Sequence, residues 1–290
     1  LFYRSRVSDD CENWNEWTDW IDPNGYEVKK TIYFKEDSCH ELEYYCEDAL
    51  GNKNEPDLEF FAVETVPPIT NKTYLGPFFS KKLCLEENGI VEYNGNGEHE
   101  ICFTQEYIDT ATWVVLNATD PQPHPSGVNQ TFWRNTLIQD NRYCEQPEIY
   151  CKPCEFTQQQ CGNFNLYTGP FNKTDESCHL IEFFSVDKLG NKEDLKWQCV
   201  FVDKQPPVTK KEYVGPFFSN DTSEWISTST NVTLFAKDQE PHPSGVNQTF
   251  WRNTLLVDDV NCLDQEICQQ ATGQGPWNSY TGPFNKKEQS

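Results

Sequence analysis

PHPSGVNQTFWRNTL stands at Pro123–Leu137 and again, without one difference, at Pro241–Leu255. An identity this long between two places in one chain marks a duplication, so the fold is to be read as a repeat. Moving C-terminally from the first copy, the chain passes Cys144, YTGPFN (Tyr167–Asn172), CHLIEFFSVDKLGN (Cys178–Asn191) and VDKQPP (Val202–Pro207). From the second copy it passes Cys262 and YTGPFN (Tyr280–Asn285). At the other end LFYRSRV (Leu1–Val7) reads as a degenerate TFWRNTL, followed by Cys11, CHELEYYCEDALGN (Cys39–Asn52) and VETVPP (Val63–Pro68). After each Pro-Pro, TNKTYLGPFFS (Thr70–Ser80) corresponds to TKKEYVGPFFS (Thr209–Ser219). Each then leads through an apolar segment, WVVLNATD (Trp113–Asp120) or NVTLFAKD (Asn231–Asp238), back to PHPSG. The reading divides the chain into the C-terminal part of a module at 1–66, a complete module at 67–205 and the N-terminal part of another at 206–290. The complete module carries an inserted hairpin near 81–110, with Cys84 and Cys102 in it.

Inside the unit the pattern is β. TFWRNTL, LEYYCED, LIEFFSVD, VTLFAKD and WQCVFVD are short, aromatic and β-branched, with partial alternation of apolar and polar residues. DALGNKNEP and DKLGNKED read as hairpin turns, Gly taking the left-handed position and Asn closing the turn. No stretch holds a sustained helical apolar period. The expectation is an all-β chain of tandem, disulfide-stapled β-sandwich modules, with both chain ends falling inside a repeat.

The bulk composition fits modules with thin cores. Hydrophobic residues make up 36% and mean hydropathy is −0.75, yet aromatics reach 14%, more than a disordered chain carries. Lys and Arg number 23 against 46 Asp and Glu, a formal charge of −23. That balance argues against nucleic acid or anionic lipid as partner, because phosphate neutralisation needs clustered cations. No run approaches the ~18 apolar residues of a membrane helix. No signal peptide is visible and there is no Met, which suggests a segment cut from a longer precursor. Thirteen Cys and seven N-x-T sequons, at Asn71, Asn117, Asn129, Asn172, Asn220, Asn231 and Asn247, point to secretion, disulfides and covalent N-glycans.

The ordered set Pro-Pro, G-P-F, an apolar strand ending in Asp, S-G-V, an aromatic-Arg strand, Y-T-G-P-F, I-E-F-F-S-V-D-x-x-G-N and V-x-V-D resembles a known family. It is similar to the OmpL-type Ig-like modules that recur in tandem in bacterial and archaeal surface proteins. The resemblance covers nearly the whole chain, and it implies an Ig-like sandwich with an extracellular adhesive or spacer role and no catalytic residues. The chain departs from the pattern in its Cys content, in the insertion around Gly76–Thr112 and in Cys39 and Cys178 preceding the usual His.

Positional recurrence orders the cysteines. Cys11, Cys144 and Cys262 are equivalent, as are Cys39 and Cys178. Cys11–Cys39 is the preferred pair, Cys144–Cys178 follows by repeat logic, and the partner of Cys262 falls beyond the sequence. Cys84–Cys102 would clip the inserted hairpin. Cys144–Cys151 with Cys262–Cys268 is the alternative, since connectivity does not follow from spacing. The run Cys144, Cys151, Cys154, Cys161 also raises a tetrahedral zinc site, against which the sequons speak. An odd total leaves at least one Cys free or bonded to another chain.

No catalytic fingerprint is present, and no cofactor is expected. His124 and His242, in PHPSG, lie near Asp120 and Asp238, but one His and one carboxylate are too few for a metal. A Pro-braced structural loop is the reading preferred. Asp48 and Asp187 read as turn-capping residues, and His40 and His179 as packed strand residues. NGNGEHE (Asn94–Glu100) is a Gly/Asn turn with no helix after it. Trp133 and Trp251 read as core, while Trp14, Trp17 and Trp20 are open to a sugar-stacking role. The chain is therefore expected to be a non-enzymatic, extracellular structural segment that assembles with copies of itself, by donated strands or intermolecular disulfide. An adhesin or carbohydrate-binding tandem is the alternative, and an enzyme would need a catalytic domain outside this segment.

Overall fold

The computed structural model describes residues 1–22, 31–86, 89–93, 101–154, 161–220, 223–253 and 275–285. Cys262, Cys268 and the turn Asn94–Glu100 lie outside the described residues. The chain is nearly all β, with 49% strand and 4% helix. It packs as two units, residues 1–173 with 178–200 and residues 174–177 with 201–290.

The first unit opens with a three-stranded antiparallel sheet in chain order: β1 (Phe2–Ser8), β2 (Ser38–Tyr45) and β3 (Asp57–Val63). The outer edge of β1 is covered by the segment after it. Thr18 and Asn15 donate backbone N–H groups to Ser5 and Val7, and Ile21 exchanges both bonds with Tyr3. Residues 15–21 thereby satisfy exposed backbone groups of β1 on this edge. β3 pairs only with β2 among the described residues, and Leu58 and Phe60 on it are exposed.

Two sheets make the rest of the unit. The smaller holds β4 (Ile69–Leu75), β8 (Trp113–Thr119) and β11 (Phe171–Asn172), in the order β11-β8-β4. The larger holds β5 (Phe78–Glu86), β6 (Gly89–Glu92), β7 (Cys102–Ile108), β9 (Val128–Ile138), β10 (Asn165–Leu166), β12 (Cys178–Asp187) and β13 (Lys196–Val202). Its order is β10-β9-β12-β13-β7-β5-β6. The insertion therefore extends an existing sheet by the edge strand β6, and Cys84 faces Cys102 across β5 and β7. Leu180 and Ile181 on β12 are both fully buried although neighbours on a strand point to opposite faces, so both faces of this central strand are covered. This is why LIEFFSVD reads as an apolar run with weak alternation.

One departure from the sequence reading is helical. Between β9 and β10 lie two single turns, α1 (Arg142–Glu145) and α2 (Pro147–Tyr150), with Pro147 at the start of the second, where its missing N–H costs nothing. Four-residue turns leave no periodic apolar signal; the disulfides at Cys144 and Cys151 hold them.

The sheets are joined by a buried polar bridge. The Ser185 hydroxyl lies 2.6 Å from that of Thr70 and 2.7 Å from that of Thr131, so β4, β12 and β9 meet there. Glu193, 5% exposed, accepts the Ser185 and Thr70 N–H groups, and Lys196 pairs with it at 3.0 Å. The pairing satisfies a charge that would otherwise be costly to bury.

The second unit repeats the pattern with β14 (Val208–Val214), β15 (Phe217–Ser219), β16 (Glu224–Ile226), β17 (Asn231–Lys237), β18 (Phe250–Trp251), β19 (Asn278–Ser279) and β20 (Phe284–Asn285). They pair as β14-β17-β20, β15-β16 and β18-β19. The G-P-F motif has one physical reason in both places. Gly76 and Gly215 take φ +126° and +131°, and a Cβ on either would come 3.1 Å from the Cα of Thr112 or Thr230. Those threonines donate their hydroxyls to the carbonyls of Pro77 and Pro216.

Candidate functional site

Two side chains of the duplicated stretch, its Arg and its Trp, are spent in contacts between strands. Arg134, in TFWRNTL, donates Nε and Nη2 to Glu182 on β12 at 2.6 and 2.7 Å. Glu182 is fully buried and also accepts the Cys154 N–H at 3.1 Å. The equivalent pair in the first sheet is Arg4 and Glu43, directly opposed on β1 and β2. Trp133 stacks on Phe171 at 3.6 Å between ring centres, and Trp251 on Phe284 at 3.9 Å, while Lys173 covers Trp133. Tyr167 and Tyr280 of Y-T-G-P-F accept the N–H groups of Leu116 and Leu234 on their hydroxyl oxygens. The Arg and Trp of the repeat hold strands together.

The tryptophan trio is likewise occupied. Arg4 lies 4.8 Å from the Trp17 ring centre and 4.7 Å from that of Trp20; Arg6 lies 4.6 Å from Trp17 and 5.2 Å from Trp14. Rings and guanidinium groups alternate in a ladder along β1, each contact worth on the order of 0.5–1 kcal/mol. These contacts hold the trio along the edge of β1.

Five cysteine pairs are bonded: Cys11–Cys39, Cys84–Cys102, Cys144–Cys178, Cys151–Cys199 and Cys154–Cys161. Cys11–Cys39 and Cys144–Cys178 are the pairs that positional recurrence favours, and Cys84–Cys102 is the clip expected in the inserted hairpin. The alternative Cys144–Cys151 and the zinc tetrad are overturned, because Cys144, Cys151, Cys154 and Cys161 are spent in three separate disulfides. Cys46 is exposed and has no partner among the described cysteines. Disulfides in this number belong to an oxidising compartment. Among the described residues, no helix is long and apolar enough to cross a membrane. All seven sequon asparagines are exposed, with Asn71 and Asn117 directly opposed on β4 and β8.

Asp48 and Asp187 close their turns as expected. Asp187 Oδ1 accepts the N–H groups of Leu189 and Asn191, both at 2.8 Å, and Asp48 does the same with Leu50 and Asn52. The Asn52 side chain, with these backbone donors, holds the Asp48 carboxyl below its usual range. His124 is buried, its Nδ1 3.3 Å from Asp37. The Asp37 carboxyl is lowered first by the Thr65 N–H, with His124 adding to it. His242 stacks on Phe201 and His179 meets the Asn135 side chain. His124 also lies near Cys11 and Cys39, but a disulfide offers no thiolate to a metal.

A different constellation forms around the repeated loop. Glu64 follows β3, Asp120 follows β8 ahead of PHPSG, and Asp187 ends β12; one carboxylate oxygen of each lies within 4.8 Å of the others. Glu64 Oε2 accepts the Ser126 N–H at 2.8 Å, and Asp120 Oδ2 accepts that of Gly127 at 2.6 Å. Asn191 bridges the Asp187 carboxylate, at 2.7 Å, to the Glu64 carbonyl, at 3.4 Å. Gly127, at φ +93°, could not carry a Cβ without meeting the Lys188 ammonium at 3.0 Å. In the second unit Asp203 Oδ2 accepts the Ser244 N–H at 2.9 Å, and Asp238 Oδ2 that of Gly245 at 2.6 Å. Sequence reasoning placed Asp120, Asp187 and the loop one by one and missed Glu64. The signal available was the recurrence of an acid at Glu64 and Asp203, one residue past an apolar strand.

A cleft of 440 Å³ is lined by Thr104, Glu106, Glu148, Trp197 and the Cys151–Cys199 bridge. Its acids are structural acceptors, Glu148 of the Thr104 N–H and Glu106 of the Tyr74 hydroxyl. Compared with known proteins, the chain matches no family model, no curated protein and no solved structure.

Proposed function

We propose that this chain is a non-catalytic segment of an extracellular, N-glycosylated structural protein, a fibre or stalk of tandem Ig-like modules. The observation that carries this is the same acid-to-loop link at Glu64–Ser126 and at Asp203–Ser244, each within its own unit. Two units that carry the same internal link are built on one plan, as the modules of a tandem array are. Exposed sequons and the disulfide framework support the extracellular setting. Ring stacking, the Arg–Glu pairs and the Arg–Trp ladder put the conspicuous side chains to structural use. Negative-stain electron microscopy of native material tests the reading: extended filaments or beaded stalks are expected, and uniform isolated particles that bind a glycan array would overturn it. Intact mass before and after enzymatic deglycosylation tests the glycans, with unchanged mass counting against them.

A further inference from the structure

We infer that Glu64, Asp120 and Asp187, with the Ser126 hydroxyl, form a binding site for a divalent cation of the calcium class. This holds whether or not the chain builds a fibre. The first ground is that the cluster is incomplete by itself. Glu64 is 8% and Asp187 0% exposed, so their charges are held away from water. Glu64 Oε1, Asp120 Oδ1 and Ser126 Oγ are each buried with no hydrogen-bond partner among the described residues. No Lys or Arg side chain among the described residues forms an ion pair with the three carboxylates; the nearby Lys188 ammonium approaches Gly127 instead. Buried charges of one sign persist when they are paired or coordinate a metal.

The second ground is size and donor type. Calcium takes oxygen ligands at about 2.3–2.6 Å, so two of its ligands are separated by at most about 5 Å across the ion. The three oxygens here fall within 4.8 Å of one another, so one ion can reach all of them. Every donor is a hard oxygen, with no thiolate or imidazole in the set, which disfavours zinc. The third ground is recurrence. Asp203, Asp238 and Ser244 reproduce two of the carboxylates and the loop donor with the same hydrogen bonds, and Ser244 Oγ adds a 3.4 Å contact to Asp238. An ion at the first site would tie the chain leaving β3 to the ends of β8 and β12.

The test uses the whole chain, stripped with chelator, then titrated with calcium chloride by calorimetry and followed by thermal unfolding; magnesium chloride runs in parallel. Binding at about 10⁻⁴–10⁻³ M is expected, the range of extracellular modules, with a calcium-dependent rise in Tm. Glu64→Gln and Asp120→Asn should weaken calcium binding at least tenfold and abolish the rise. In chelator both variants should be as stable as wild type or more so, because like-charge repulsion is relieved. Replacing two exposed acids of β3, Asp57→Asn with Glu59→Gln, should leave the response intact and separates site binding from condensation on an acidic surface. No calcium effect on the wild-type chain at ten times the upper end of that range overturns the proposal. So does a response unchanged in both site variants, or a variant that unfolds in chelator, since its carboxylate would then serve the apo fold.

Discussion

Replacing Arg134 with Met removes one side of the bidentate pair and leaves Glu182 fully buried, with the Cys154 N–H as its remaining donor. Breaking a buried pair by removing one partner costs about 3–5 kcal/mol, most of it the uncompensated charge that remains. The first unit covers roughly 200 residues, for which each kcal/mol moves Tm by about 2–4 °C, so a drop of about 6–20 °C is expected. Two controls follow from the structure. Arg4→Met breaks the equivalent pair, but Arg4 and Glu43 keep 30% and 20% of their side chains exposed, so the pair itself accounts for about 1 kcal/mol, and the two tryptophan contacts of Arg4 bring the loss to about 2–3 kcal/mol. The double variant Arg134→Met with Glu182→Leu removes the stranded charge and should recover most of the loss, as apolar replacements of buried pairs do. The assay is thermal unfolding of the full chain with disulfides intact, read by calorimetry. An Arg134→Met loss no larger than that of Arg4→Met, or a double variant no better than the single, would refute the reasoning.

Lys72 is packed on Tyr74 and its ammonium is pushed down to about 8 by burial, while the unfolded chain keeps that proton to about 10.4. The unfolded state therefore binds more protons between those values, and the unfolding free energy from urea titration should rise from pH 8 to 9.5 by on the order of 1–2 kcal/mol. Lys72→Met should flatten that rise. Tyr74, raised well above its usual value by burial, reverses the trend above about pH 10, where only the unfolded chain ionises. Gly76→Ala meets both positive φ and the Thr112 backbone and should cost about 1–3 kcal/mol in chemical denaturation; a neutral result would mean the G-P-F turn relaxes. Removing Cys151–Cys199 as a double Ala variant opens a loop of separation 48 and should cost about 4 kcal/mol in the chain-entropy account. Peptide mapping without reduction should recover that bridge directly, and a Cys144–Cys151 peptide would contradict it.

What could be read beforehand was whatever the duplication displayed twice. Cys11–Cys39 and Cys144–Cys178 followed from equivalence, and the D-x-L-G-N turns from local chemistry that Asp and Asn supply within four residues. Cys199 has no counterpart in the first repeat, so its bond to Cys151 carried no positional signal. The role of Arg134 was equally hidden: its partner lies 48 residues away and is set by the β9–β12 register, in which Arg134 faces Glu182. The ladder of Arg4 and Arg6 with three tryptophans depends on residues 15–21 folding back onto the edge of β1. The carboxylate cluster is drawn from the ends of three strands, and composition offered 46 acids to choose from.

The sequence by itself determined the repeat, the all-β character and the recurrent turns, because strand pattern, glycine and turn chemistry act within a few residues of each other. The tertiary structure decided which charges are buried, which aromatics face a cation and which acids converge. Those depend on strand register and on loops meeting from distant parts of the chain, where the energy of a contact is fixed by what surrounds it.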